Sequence, residues 1–110
     1  MKTAFPIELR CPLIFCGGEE RAVQEREQWG SGCNLVALRP GLGVAYRRNQ
    51  ETLSGLNAQG FAIVDADDLL AGRATLDPDA RAIITISGAE LVRGGGGPRC
   101  MTLPLRREAV

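Results

Sequence analysis

Apolar positions along the chain fall in short runs, each closed by proline or glycine. Ile7 to Phe15 is apolar and extended in character, with Pro6 and Pro12 as breaks. A strand is expected over 12–16, ended by Gly17-Gly18. Glu19 to Gln28 is charged and rich in helix formers, so it reads as a short helical turn or an ordered loop, with Trp29 as its one large anchor. Gly30-Ser31-Gly32 breaks the chain again. Asn34 to Leu38 and Leu42 to Tyr46 are two apolar runs around the turn signal Pro40-Gly41, which makes 34–46 a candidate hairpin. Leu53 and Leu56 then recur at helical spacing within Asn49 to Gln59, with Asn49 as N-cap and Gly60 as stop. Phe61 to Val64 reads as a third strand.

Beyond that strand, Asp65 to Leu70 reads as a short helix whose acids Asp65, Asp67 and Asp68 suit a helix N-terminus. Residues 71–80 read as a polar loop, Ala82 to Ile86 as a strand and Glu90 to Arg93 as a helical turn. The glycine run Gly94 to Gly97 follows, limited on one side by Pro98. Arg99 to Leu105 reads as a final strand, ended by Arg106, Arg107 and Glu108. The order between 34 and 64 is β-β-α-β, an α/β arrangement, and 110 residues allow one domain at most.

Charge changes the picture by exclusion. Lys+Arg and Asp+Glu both number 13, so the chain has no broad electrostatic pull on nucleic acid or an anionic membrane. Aromatic residues make up 5%, too few for a base-stacking surface. No apolar run approaches the roughly 18 residues of a membrane span. Glu8 and Arg10 come too early for a secretory signal, so a cytoplasmic location is the expectation. The cysteines at 11, 16, 33 and 100 form no C-x-x-C pair, and histidine is absent from the sequence. No metal and no other cofactor is therefore expected, and Cys11, Cys16 and Cys33 read as buried or partly buried free thiols.

Candidate chemistry gathers at Ser87 to Met101. Four consecutive glycines let a backbone approach a ligand closely and adopt positive φ. Cys100 follows them, flanked by Arg93 and Arg99, a positive setting that favours the nucleophilic thiolate. A mobile surface loop beside a core cysteine has the same composition. A phosphate loop does not fit, because no Gly-Lys-Ser/Thr follows the glycines.

The stretch Glu90-Leu91-Val92-Arg93-Gly94 through Gly96-Gly97-Pro98-Arg99-Cys100-Met101 resembles the C-terminal signature of arginine deiminases. Further matches lie upstream in the same order: Cys16-Gly17-Gly18, then Arg26-Glu27-Gln28-Trp29 with Gly32 and Asn34, then Pro40-Gly41, Tyr46 and Arg48-Asn49. The resemblance runs from about residue 12 to 107. It implies the pentein fold, five β-β-α-β modules about a pseudo-fivefold axis. On that reading 1–18 is the end strand of a preceding module and 19–110 is the C-terminal module. Only one to one and a half of the five modules would be present.

The resemblance further implies a guanidinium substrate, normally arginine. A cysteine thiolate attacks its central carbon, ammonia leaves, and water releases citrulline from the thiouronium. Cys100 maps onto the nucleophile. Gly94 maps onto a position that offers its carbonyl to substrate, and Arg93 and Arg99 are the neighbouring binding candidates. The family's histidine and acids map onto nothing here, so the chain alone is expected to be inactive. A partner chain or self-association through exposed strand edges would then complete it. Gly95 stands where many family members have a carboxylate-binding arginine, Ser31 stands where aspartate is usual, and 65–80 looks like an insertion. Two other readings stay open: a pentein-derived module that binds a ligand or partner without catalysis, and a redox-responsive thiol protein.

Overall fold

A computed structural model describes residues 13–109. Pro40 and Gly41 close the expected hairpin, with Gly41 at φ +81° supplying the left-handed corner that a type II turn needs. Its strands are β1 (Val36–Arg39) and β2 (Leu42–Tyr46), antiparallel, with Val36 opposite Val44 and Ala37 opposite Gly43. Helix α1 (Arg21–Trp29) precedes them and helix α2 (Gln50–Ala58) follows. Gly60, at φ +95°, ends α2 as expected. Then come β3 (Ala62–Asp65), α3 (Ala66–Leu70) and β4 (Ala82–Ile86). Asp65 caps α3 by accepting the Asp67 N–H at 2.9 Å, so the acidic cluster is a helix N-terminus.

Among the described residues the sheet has four strands, in the order β1-β2-β4-β3. The β-β-α-β order of the sequence is therefore not the spatial order. β4 lies between β2 and β3 and runs parallel to both, pairing Leu42 with Ala82 and Ala62 with Ala82. Tyr46, Ile86 and Asp65 consequently end three parallel strands at one edge, and ligands of parallel sheets gather at that edge. Ala45, Leu53, Leu56 and Ile83 form the core between α2 and the sheet, with Ile14, Leu35 and Phe61 packed around it.

Three expectations need correction. Leu13 to Phe15 form no strand, and Cys16 to Glu19 turn; residue 12 lies outside the described residues, as does Cys11. Gly17 and Gly18, at φ +82° and +78°, bend the backbone away from any sheet direction, while Ile14 packs on the core. Trp29 anchors nothing here, being 87% exposed. The final strand is absent as well. Pro98–Met101 is a turn of 3₁₀ helix, and 102–109 has no regular structure. Cys100 N–H and Thr102 N–H bond to Gly97 and Arg99 carbonyls within the turn, and Pro104 has no N–H to offer a ladder.

Asn49 begins α2 but does not cap it with its side chain, which donates instead to Gly30 O at 2.8 Å. Glu27 of α1 does that work from a distance in sequence. Its carboxylate accepts Glu51 N–H at 3.0 Å, Thr52 N–H at 2.9 Å and the Thr52 hydroxyl at 2.8 Å. Thr52 Oγ1 in turn accepts Gly17 N–H at 2.9 Å, so the Cys16-Gly17-Gly18 turn is tied to α2.

β4 leaves the sheet through Ser87 and Gly88, and Gly88 lies flat on the Tyr46 ring. A Cβ there would fall 2.2 Å from Cδ1 of a side chain that is 1% exposed. Gly88→Ala is expected to cost about 1–3 kcal/mol by overpacking, read as a lower urea midpoint with an unchanged slope.

Candidate functional site

The loop after β4 is built to bring Cys100 against Asn34. Leu91–Gly94 makes one turn of 3₁₀ helix, with Val92 N–H bonded to Gly88 O at 2.9 Å. Gly95 and Gly96 follow at φ +81° and +78°, a reversal that side chains other than glycine resist. Gly97 is pressed on Asn34, where a Cβ would meet Asn34 Cβ at 2.6 Å. Gly96 is pressed on Cys100, with its Cβ position 3.2 Å from Sγ. The glycine run is thus a close-contact device at 96 and 97, whereas Gly94 meets open space.

Asn34 holds the thiol from both ends of its amide. Oδ1 accepts the backbone N–H of Arg99 at 2.9 Å and of Cys100 at 3.3 Å. Nδ2 donates to Cys100 Sγ at 2.9 Å. One side chain therefore fixes both the backbone carrying the thiol and the thiol itself. The Gly97 backbone hydrogen bond first, then Asn34, then the Arg99 charge lower the Cys100 thiol below its ordinary value. The side chain is exposed, so a reagent reaches it freely.

Of the residues singled out from sequence, Arg99 and Cys100 stand together. Arg93 pairs with Glu90 at 3.4 Å, and both are solvent-exposed. Asn34 lies within the upstream stretch that resembles the family, where nothing in the sequence gives it a role. Sixty-six residues separate it from Cys100, so no local pattern marks the pair. Among the described residues, no carboxylate stands among the groups that shift the Cys100 thiol. No group of three metal-ligating side chains occurs among them either.

Cys16 and Cys33, both free, line a depression beside Asn34, with Gln28 and Ser31. Cys16 is half-buried as expected, whereas Cys33 is exposed. Ser31 takes φ +60° where the chain turns just before Cys33. No helix among the described residues is long and apolar enough to cross a membrane.

Replacing Asn34 by alanine removes one stabiliser of the thiolate. The midpoint of Cys100 alkylation against pH is expected to move upward, with the rate at neutral pH falling about 3- to 10-fold. Iodoacetamide labelling followed by peptide mapping reads this directly.

The fold and site define an α/β chain that presents an exposed thiol at the carboxyl edge of its parallel strands, after a glycine loop. The family profile Arginine deiminase matches residues 7–107. An arginine deiminase of Mycoplasma capricolum is 42% identical over 96 residues, covering 87% of this chain and 19% of that protein. An arginine deiminase of Streptococcus equi is 38% identical over 101 residues, 92% of this chain and 20% of that protein. One from Streptococcus agalactiae is 38% identical over 96 residues, 87% and 18%. This chain belongs to the arginine deiminase family. It spans about a fifth of the length of the curated relatives it matches.

Proposed function

We propose that this chain supplies the nucleophile-bearing part of an arginine deiminase active site. The observation that carries the reading is the grip on Cys100: an exposed thiol, lowered by Gly97, Asn34 and Arg99, at the end of a close-packed glycine loop. Its thiolate attacks the guanidinium carbon of arginine. One substrate nitrogen leaves with a proton as ammonia, and water then cleaves the carbon–sulfur bond to give citrulline and the free thiol. Gly94 offers its carbonyl to the substrate, and Arg93 and Arg99 line the approach. A cation needs carboxylates to bind its N–H groups, and the departing nitrogen needs an acid. Histidine is absent from the chain, so a further polypeptide segment supplies those groups.

Residues 19–110 form the C-terminal β-β-α-β module of the pentein type in this reading, and 1–18 belong to the module before it. The edge strands β1 and β3 and the exposed Leu38, Ile63, Leu103 and Leu105 are where neighbouring modules, or a partner chain, would sit. The completed enzyme is cytoplasmic.

The test is complementation. The purified chain is expected to release no citrulline from arginine beyond its Cys100→Ala variant. Adding a polypeptide that spans the unmatched remainder of a curated relative is expected to yield Cys100-dependent citrulline. Cys100-dependent turnover by the chain alone would refute the need for completion. Cys100 alkylating no faster than Cys33 at neutral pH would refute the activated nucleophile.

A further inference from the structure

We propose that Cys16 and Cys33 form a second thiol site, a dithiol that a small disulfide such as oxidised glutathione converts to an intramolecular disulfide bond, loosening the hold of Asn34 on Cys100. The deiminase reading does not use either residue, and the dithiol does not depend on that reading; only its consequence for turnover does.

Three observations place the two side chains at one depression. Gly32 rests directly on Cys16, where a Cβ would fall 2.7 Å from Sγ. The next residue, Cys33, lines the same depression of about 360 Å³ as Cys16, and the depression is open to a small reagent. The two side chains interact: burial of its sulfur first, then Cys16, push the Cys33 thiol up to about 11, although the residue as a whole is exposed. Thr52 Oγ1 lies 3.8 Å from Cys16 Sγ, and its bonds to Glu27 and Gly17 hold that side of the depression in place. Cys33 is the more exposed partner, two residues after Ser31 at φ +60°.

The exchange balances without any other reagent. One thiol, as thiolate, attacks the glutathione disulfide and releases one glutathione. The neighbouring thiol then attacks the mixed disulfide and releases the second. Two protein thiols lose two electrons and two protons, and both glutathiones leave as thiols. Closure draws Cys33 toward Cys16, and Asn34 is the next residue in the chain. Its amide donates to Cys100 Sγ and accepts from Arg99 N–H, so the pull reaches the candidate nucleophile through one peptide unit.

The experiment treats the reduced chain with oxidised glutathione, quenches with acid, and maps the linkages by mass spectrometry. Alkylation of Cys100 is timed before and after. The expected result is a Cys16–Cys33 link, absent in Cys33→Ser, and a Cys100 alkylation rate at neutral pH lower by about threefold or more. Dithiothreitol is expected to restore the rate, and the rate in Cys33→Ser is expected not to respond to the oxidant. Glutathione retained on Cys16 or Cys33 without a link would overturn the proposal. So would a preferred link through Cys11 or Cys100, or a closed Cys16–Cys33 bond that leaves Cys100 alkylation unchanged. Alkylation needs no deiminase turnover, so failure here is distinguishable from failure of the deiminase reading.

Discussion

Cys100→Ala, in an enzyme completed from this chain and the unmatched remainder of a relative, is expected to lower citrulline formation by at least about 10⁴-fold. The size follows from what the thiol does. It makes the carbon–sulfur bond of the intermediate, and no neighbouring group can take its place: Asn34, Gly97 and Arg99 are neutral amides or a cation. Residual turnover would rely on water attacking directly in a site whose remaining groups still bind the substrate. The loss should appear in kcat, with KM changed much less, because the nucleophile contributes in the transition state. Stability should hardly change, since Cys100 is exposed and its removal leaves no buried cavity. Asn34→Ala in the same enzyme is expected to lose less, about 10- to 100-fold, because the thiol remains and only its placement suffers. Loss of less than tenfold for Cys100→Ala, with the fold intact by circular dichroism, would remove the thiol from the chemistry.

Glu27→Ala is the substitution expected to cost the most stability, about 3 kcal/mol. Glu27 is 1% exposed and accepts three hydrogen bonds from the first turn of α2. Alanine leaves two backbone N–H groups and the Thr52 hydroxyl facing a dry space. It also frees the link from Thr52 to Gly17, so the loss spreads to the turn that carries Cys16. Domains of this size have only about 5–15 kcal/mol in total, so the effect is a large share. Glu27→Gln should fall between wild type and alanine, because its amide keeps one accepting oxygen but turns a donor toward another donor. Urea unfolding followed by far-UV circular dichroism measures the series. Equal midpoints for wild type and Glu27→Ala would show that water or Asn49 takes over the cap.

The secondary structure was legible in the sequence wherever local chemistry decides it. Pro40-Gly41 announced the hairpin, Leu53 and Leu56 announced α2, and Asp65 with its following acids announced α3. Legibility failed where distant residues decide. Asn49 has the side chain of a helix cap, yet Glu27, 22 positions earlier, occupies the donors Asn49 would have taken (49 minus 27). Arg99 to Leu105 has the apolar content of a strand, but the turn that Pro98 starts uses its first donors within itself. The site divided the same way. Cys100 and the glycine run were visible as a motif, but Asn34 became part of the site only when the chain had folded.

Because β4 is the last strand in sequence but lies between β2 and β3, the sheet cannot close in the order in which a ribosome delivers it. The hairpin and α2 can form early from neighbouring residues. β3 then emerges with no strand beside it, and the open flank of β2 stays unpaired until residues 82–86 arrive. Pairing Leu42 with Ala82 closes a loop of 40 residues (82 minus 42), the kind of non-local step that slows folding. During that delay the gap is a vacancy of strand width, open to any extended segment nearby. Gly43 and Ala45 on one flank and Ala62 on the other are small, which eases late insertion of the Ile-rich β4 and equally eases invasion by a foreign strand.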